Sequence, residues 1–214
     1  MITICITSCG RYELLKQTLD SFCTLNEYPI ERWILHEDSA NPELKDQIKK
    51  DYPFIKVIGE DQNVGLLKSI DNLYALVETP YVFHLEDDWL FSGNKDLIQE
   101  SLDILEKSDH IHQVWIRKGI PDIWLESYNH GFYRMVKSNH HGDWCGYSFN
   151  PGLRRIEDHR FMFPKGLEVY NTHQQNSALS EHACNLIAAK YGYRAALLNN
   201  PACQHIGEGK STYK

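Results

Sequence analysis

The sequence has no long apolar run and no excess of basic residues, and each absence narrows the possible classes of protein. No stretch approaches the length of a membrane span, and the apolar run Ile2 to Ile6 is too short and lacks the basic lead of a secretory signal. With 22 Lys and Arg against 29 Asp and Glu, the net charge of -7 argues against a nucleic-acid or membrane-surface footprint. We therefore expect a cytoplasmic protein, in which any anionic ligand must meet local positive charge.

The cysteines also lack a pattern. None forms a C-x-x-C pair, so neither a zinc knuckle nor a disulfide framework is predicted. Several fall inside apolar patterns, which favours buried free thiols in a reducing compartment and leaves a disulfide as the alternative. The six are Cys5, Cys9, Cys23, Cys145, Cys184 and Cys203.

What the sequence does contain is a regular alternation of strand and helix patterns in its first half. Such alternation predicts an α/β fold with a mainly parallel central sheet flanked by helices. The predicted strands are Ile2 to Thr7, Trp33 to His36, Phe54 to Ile58 and Tyr81 to Leu85, and the predicted helices are 14–23, 44–50 and 67–77. The second half is less regular, with helices at 97–105 and 177–191 and strands at 114–116 and 195–198. At 214 residues the chain can form one domain.

Three consecutive acids, Glu86, Asp87 and Asp88, end the strand Tyr81 to Leu85 and are followed by Trp89. Adjacent carboxylates repel one another unless a cation or a hydrogen-bond donor lies between them. An acidic turn in solvent is the alternative, but such turns are seldom enclosed by large apolar residues. The pattern therefore favours a divalent metal site.

Polar residues follow two other predicted strands. Thr7, Ser8 and Arg11 come after the first strand, and Glu37 and Asp38 end the second. Each could be an ordinary turn or helix cap. Because ligands of parallel sheets gather at the carboxyl ends of the strands, these groups together predict a nucleotide site.

These motifs resemble the nucleotide-sugar-binding half of GT-A fold glycosyltransferases, particularly the family-2-like inverting enzymes. The resemblance is carried in order by Ile4-Cys5-Ile6-Thr7-Ser8-Cys9-Gly10-Arg11, Glu37-Asp38-Ser39, Asn63-Val64-Gly65 and Glu86-Asp87-Asp88. The last matches the D-x-D signature, except that Glu86 replaces the usual Asp. The resemblance covers roughly the first hundred residues, so about 1–107 would be the nucleotide-sugar-binding half and about 108–214 the acceptor-binding and catalytic half of a single domain.

The resemblance implies roles for individual residues. Asp38 would recognise the base or ribose, Arg11 would assist at the nucleotide, and Asp88 would be the principal ligand of Mn2+ or Mg2+. Thr7, Asn63, Glu86 and Asp87 would complete the site for a UDP- or GDP-sugar. The implied reaction moves the sugar to an acceptor hydroxyl with inversion, and the metal stabilises the charge on the leaving diphosphate.

In the second half, the resemblance assigns Trp144 and Gly146 to a glycine-containing loop beside the donor sugar. Glu181 would be the catalytic base, with His182 the less favoured choice, although Ser180-Glu181-His182 departs from the family's Glu-Asp pair. His205 would complete the metal shell and Lys210 would neutralise phosphate. From the residues alone, Glu181 equally fits the first turn of a helix, where the helix dipole favours a carboxylate.

Other readings stay open at this stage. A sugar-phosphate nucleotidyltransferase shares a related sheet but normally has a glycine-rich loop after its first strand, and a catalytically inactive nucleotide-sugar-binding module would bind without turnover. His110 and His112 are predicted to share one face of a strand, and Arg154-Arg155 is a basic pair that meets either acceptor or solvent.

Overall fold

The computed structural model describes residues 1–117, 123–127, 133–138, 145–171 and 177–209. It contains eleven strands and six α-helices in these ranges. The first half comprises β1 (Ile2–Ser8), α1 (Tyr12–Leu25), β2 (Arg32–Glu37), α2 (Pro42–Asp51), β3 (Lys56–Ile58), α3 (Leu66–Ala75), β4 (Tyr81–Glu86), β5 (Trp89–Phe91) and α4 (Leu97–Lys107). The second comprises β6 (Ile111–Trp115), β7 (Ile123–Ser127), β8 (Tyr133–Ser138), β9 (Gly152–Arg155), α5 (Ile156–Met162), α6 (Ser177–Lys190), β10 (Arg194–Leu198) and β11 (Cys203–His205).

Nine strands form one sheet in the order β3-β2-β1-β4-β9-β6-β10-β8-β7. Strands β3, β2, β1 and β4 are parallel, and β10 is parallel to β6. Strand β9 is antiparallel to both β4 and β6, and β8 is antiparallel to its neighbours β10 and β7. The predicted mainly parallel sheet is therefore confirmed. A separate two-stranded sheet pairs β11 with β5.

Helices cover both faces of the sheet because consecutive side chains of a strand point to opposite faces. On β1, Ile4 and Ile6 pack with α1, α2 and α4, whereas Cys5 between them packs with α3, α5 and α6. On β4, Phe83 joins the first core and Val82 the second. Each such apolar side chain stabilises the fold by about 1.5–3 kcal/mol when buried, so the alternation explains the layered architecture.

Several predicted boundaries were wrong by two or three residues. The third strand begins at Lys56 instead of Phe54, the strand predicted at 114–116 begins at Ile111, and the second helix begins at Pro42 instead of Leu44. Asn41 explains the earlier helix start, because its side-chain oxygen accepts hydrogen bonds from the N–H groups of Glu43 (3.0 Å) and Leu44 (3.2 Å). A proline in the first turn loses no helical hydrogen bond.

None of the six cysteines, all within the described residues, forms a disulfide, and Cys5, Cys145, Cys184 and Cys203 are buried. None of the helices in the described part of the chain is long and apolar enough to cross a membrane.

The basic pair Arg154 and Arg155 was wrongly predicted to meet acceptor or solvent. The Arg154 side chain is inside the second core and donates hydrogen bonds to the Tyr74 hydroxyl (3.2 Å) and to the Ser148 carbonyl. Arg155 donates to the carbonyl oxygens of Leu105 and Ile111. Both arginines therefore bind groups of the protein itself, which adjacent positions in a sequence do not indicate.

Three buried histidines surround Arg154. Burial first, and then the Arg154 charge, lowers the pKa of His84 and His112 well below the ordinary value and that of His159 to about 3. His112 stacks on Tyr147 at 5.5 Å, whereas His110 is exposed, so the structure does not join the predicted histidine pair on one face. The three buried rings are neutral in the folded protein.

We expect these histidines to make folding sensitive to acid. Their pKa values are lower in the folded than in the unfolded chain, so the unfolded state binds more protons and stability falls as pH falls below about 6.5. Neither ring nitrogen of His84 has a hydrogen-bond partner within the described residues. Between pH 6.5 and 5, His84→Leu should therefore gain up to about 1.4 kcal/mol per pH unit relative to the natural chain, measured by urea unfolding. His110→Gln should parallel the natural chain, and a parallel curve for His84→Leu would contradict the prediction.

Candidate active site

The three consecutive acids each have polar partners, and Asp87 and Asp88 share Arg11. Asp87 is fully enclosed and accepts hydrogen bonds from the Arg11 guanidinium, the Ser8 hydroxyl (3.1 Å) and the Cys9 N–H (3.4 Å). Asp88 is paired with Arg11 (2.9 Å) and lies 3.2 Å from the His205 ring nitrogen. Glu86 accepts a hydrogen bond from the Trp89 indole (3.2 Å).

The sheet register explains the meeting of Arg11 with the acids. Thr7 pairs with Glu86 across the β1–β4 boundary, so the turn after β1 lies beside Asp87 and Asp88. Arg11 lies between these two carboxylates and offsets part of their charge, although burial still raises the pKa of Asp87 to about 6. The structure shows the Arg11 guanidinium bound to Asp87 and Asp88, and the predicted role of Arg11 at the nucleotide stays a prediction.

His205 reaches Asp88 through the small sheet. It pairs with Trp89 in the β11–β5 register, and the Ile206 N–H donates to the Asp88 carbonyl (2.8 Å). A Cβ on Gly207 would lie 2.2 Å from the Asp88 carboxylate, so only glycine allows this close approach. The two residues predicted to bind metal, 117 positions apart, are therefore adjacent in space.

The Asp88 and His205 pair fits a divalent cation whose remaining ligands come from a substrate. One Asp88 carboxylate oxygen is buried and has no hydrogen-bond partner in the described residues, and an imidazole nitrogen lies beside the other. Within the same residues, no group of three or more His, Cys, Asp or Glu side chains could hold a metal. Mg2+ is commonly bound through one or two carboxylates plus phosphate oxygens and water, and a site of this size suits that arrangement.

Residues at the carboxyl end of β2 bind two loops, the turn after β1 and the loop before α3. The Asp38 carboxylate accepts hydrogen bonds from the N–H groups of Val64 (2.7 Å) and Gly65 (2.8 Å), and Asn63 donates to the Asp38 carbonyl (2.8 Å). Burial raises the pKa of Asp38, and these two N–H groups oppose the rise. Glu37 accepts from the Gly10 N–H (2.8 Å). Asp38 therefore shapes the loop before α3 while each of its oxygens keeps a further lone pair.

Two adjoining clefts lie at this edge of the sheet, and they share Leu66 and Glu86. The smaller has a volume of about 40 Å³, and the larger about 260 Å³. Of the residues predicted from the sequence, the smaller cleft is lined by Thr7, Arg11, Asp38, Glu86 and Asp87, and the larger by Glu86, Asp88, Glu181 and His205. Most of the predicted site thus converges on one connected depression.

Glu181 enters the larger cleft from α6, where its carboxylate accepts a hydrogen bond from the Phe149 N–H (3.2 Å). Burial raises its pKa to about 7, against the opposing effects of this N–H and of Arg154. Burial and the charge of Asp88 raise the pKa of Glu86 to about 8. Because α6 begins at Ser177, Glu181 is in the second helical turn, so the alternative role in the first turn was wrong.

Three other predicted site residues differ in their outcome. Gly146 is buried and its carbonyl accepts a hydrogen bond from the Trp115 indole (2.9 Å), so it is not among the described residues lining either cleft. Trp144 and Lys210 lie outside the described residues.

Sequence reasoning missed Arg117, which lines the larger cleft two residues after the end of β6. Its guanidinium lies 4.9 Å from the centre of the Trp89 ring and donates to the Asn150 side chain (3.2 Å). The rule that polar groups at the carboxyl ends of parallel strands build the site, applied to β6, would have selected it.

The sequence matches the model of one protein family, described as glycosyl transferase family 2, over residues 3–173. The chain belongs to glycosyl transferase family 2. The resemblance inferred from the motifs is therefore confirmed, as is the prediction at family level that the chain is a glycosyltransferase. No curated protein sequence matches the chain.

Solved glycosyltransferases share the fold of this family 2 member. TarS 1-349 from S. aureus superimposes with a TM-score of 0.64 at 14% identity, over 94% of this chain and 59% of that one. Its complex with UDP-GlcNAc gives 0.65 at 14% identity, over 97% and 61%. The mannosyltransferase PcManGT from Pyrobaculum calidifontis, in complex with GDP-Man and Mn2+, gives 0.65 at 12% identity, over 99% and 58%. The chain thus spans about three fifths of the length of these structures.

We expect the ion pair between Arg11 and Asp87 to stabilise the fold of this family 2 member. Arg11→Met leaves a buried carboxylate without its cation and should cost about 3 kcal/mol, measured by urea unfolding in the absence of metal. Arg32→Met is the matched control, because its partner Glu78 is 80% exposed and the loss should stay under about 1 kcal/mol. Equal costs for the two variants would contradict the prediction.

Proposed function

We propose that this chain transfers a sugar from a nucleoside-diphosphate sugar to an acceptor hydroxyl, with metal dependence and with inversion at the anomeric carbon. The observation that carries the proposal is the larger cleft. It combines Glu181, a carboxyl group with a pKa of about 7, with Asp88 and His205, a pair suited to a divalent cation.

A UDP- or GDP-sugar is the proposed donor. The solved neighbours support this class, since TarS has been crystallised with UDP-GlcNAc and PcManGT with GDP-Man and Mn2+. In this chain, Thr7, Asp38 and Arg11 line the smaller cleft, which would take the nucleotide, and the larger cleft would take the sugar and acceptor.

Glu181 is the proposed general base. An acceptor hydroxyl must lose its proton as it attacks the anomeric carbon, and a base works best when its pKa is close to the working pH. Burial supplies that condition here by raising the pKa to about 7. With a pKa close to the working pH, a large fraction of Glu181 is ionised at neutral pH, and the carboxylate is basic enough to accept the proton of the acceptor hydroxyl.

We place the leaving diphosphate in the larger cleft, beside Asp88 and His205. Asp88 and His205 would hold Mn2+ or Mg2+, and the bound ion would stabilise the negative charge that develops as the sugar-phosphate bond breaks. Arg11 keeps Asp87 and Asp88 from repelling each other, so Asp88 stays aimed into the cleft. Direct displacement by a deprotonated acceptor inverts the configuration, which the anomeric form of the product would report.

The predicted division into two halves of a single domain and the predicted cytoplasmic location stay predictions. The acceptor is proposed only as a compound that offers a hydroxyl group.

We expect a nucleoside diphosphate to stabilise the chain when metal is present. A ligand that binds only the folded state raises Tm by mass action. At a free concentration of a hundred times its Kd, the ligand adds about 2.7 kcal/mol to the free energy of unfolding. Thermal unfolding with UDP or GDP, each with and without Mn2+, should show a metal-dependent rise that Asp88→Asn abolishes. Asp103→Asn, an exposed change on α4, should keep it. If neither nucleotide raises Tm of the natural chain, the donor-binding proposal fails.

We expect Glu181→Gln to separate binding from chemistry. Loss of a general base lowers kcat about 10²- to 10⁴-fold, whereas the nucleotide-dependent rise in Tm should persist. Glu157→Gln, an exposed change on α5, is the control and should retain activity. If the natural chain binds nucleotide without transferring or hydrolysing the donor, the inactive binding module predicted as an alternative is the correct reading.

A further inference from the structure

The proposed base is attached to a buried cation by a single peptide group. The carbonyl oxygen of the Ser148–Phe149 peptide accepts a hydrogen bond from the Arg154 guanidinium. The N–H of the same peptide donates to the Glu181 carboxylate at 3.2 Å. Arg154, the peptide and Glu181 therefore form a continuous chain from a positive to a negative group.

We propose that Arg154 is a positioning residue, which acts through the Ser148–Phe149 peptide to orient Glu181 and to stabilise its ionised form. The inference deepens the proposed function and rests on it for the role of Glu181 as a base. Arg154 is not among the residues lining the two clefts, so it does not contact substrate there.

Arg154 is well placed for this role because it has little else to neutralise. Its side chain is buried, and the partners found for it in the described residues are the Tyr74 hydroxyl, the Ser148 carbonyl and the face of the Tyr147 ring at 5.4 Å. A buried cation without a carboxylate in contact has a strong field, since little water screens it. That field reaches Glu181, whose pKa it lowers.

The peptide is also held rigidly. The Gln113 side chain donates to the Ser148 carbonyl (3.0 Å) and accepts from the Ser148 N–H (3.2 Å). The Ser148 side chain is a further hydrogen-bond partner of Glu181. A cation on the carbonyl oxygen polarises the peptide and strengthens its N–H as a donor, as neighbouring hydrogen bonds in a chain do.

Other charged and titratable groups also face Glu181. They are Glu86 from the end of β4, Arg117 after β6, Tyr147 before β9 and Cys184 on α6, with Asp88 and His205 elsewhere in the same cleft. Arg117 also lowers the pKa of Glu181 by its charge, and its guanidinium donates to the Asn150 side chain. The guanidinium of Arg154 donates to the carbonyl of the peptide that holds Glu181. Arg154 therefore both stabilises the ionised form of Glu181 and, through the peptide, orients its carboxylate.

The test is the ionisation of Glu181, followed by carbon-13 NMR of side-chain carboxyl groups and assigned with Glu181→Gln. Arg154→Gln keeps a hydrogen-bond donor but loses the charge, and should raise the pKa of Glu181 by about one. Arg154→Lys retains the charge and should restore the natural value. Arg155→Met is the matched control, because this neighbouring arginine binds the carbonyl oxygens of Leu105 and Ile111 and should leave Glu181 unchanged.

Activity supplies the second readout. In Arg154→Gln, the acid limb of the kcat profile should move to higher pH, so that the loss at pH 7 is about fivefold larger than at pH 9, while KM for the donor stays constant. A folded Arg154→Gln with an unchanged Glu181 pKa would overturn the inference. If that variant does not fold, Gln113→Met decides, because it removes a second donor from the same carbonyl and should raise the pKa by less. No rise in Gln113→Met would then overturn it.

The two proposals fail in different ways. If the natural chain transfers no sugar from any donor, the proposed function fails, and the NMR titration still shows whether Arg154 governs Glu181. If the chain is active and the pKa of Glu181 is the same in Arg154→Gln as in the natural chain, only the inference about Arg154 is wrong.

Discussion

Mutual repulsion among consecutive carboxylates is the constraint on which the rest of the site depends. Three acids at the carboxyl end of β4 are stable only if cations or hydrogen-bond donors compensate their charges. Arg11 lies between Asp87 and Asp88, His205 approaches Asp88 from the small sheet, and Trp89 donates to Glu86. These contacts form only when β1 lies beside β4 and β11 lies beside β5. The electrostatic stability of the site therefore depends on the topology of the fold.

Two arginines stabilise the acidic groups in different ways. Arg11 contacts its carboxylates directly and makes their close approach tolerable. Arg154 contacts none directly and reaches Glu181 through a peptide group. A direct ion pair would lower the pKa of Glu181 further, whereas a cation one peptide away lowers it only part of the way from the value that burial alone would impose. Such an arrangement suits a group that must both lose and accept a proton.

Much of the site was predictable because it follows from local pattern. Thr7, Asp38 and Glu86 end apolar strands, and any parallel sheet brings such strand ends to one edge. Arg117 obeys the same rule and was missed only because the rule was not applied to β6. Arg154 had no such signal, since Arg154-Arg155 looks the same in the sequence whether the side chains are buried or exposed.

By itself, the sequence determined the α/β class, the parallel first half and the family, because alternating apolar patterns and short motifs are local properties of the chain. Only the tertiary structure decided how the groups are used. It placed His205 beside Asp88, enclosed Arg154 behind Ser148 and put Glu181 against the Phe149 N–H. These contacts join residues between 6 and 117 positions apart, and they follow from sheet register and burial, which depend on the whole chain at once.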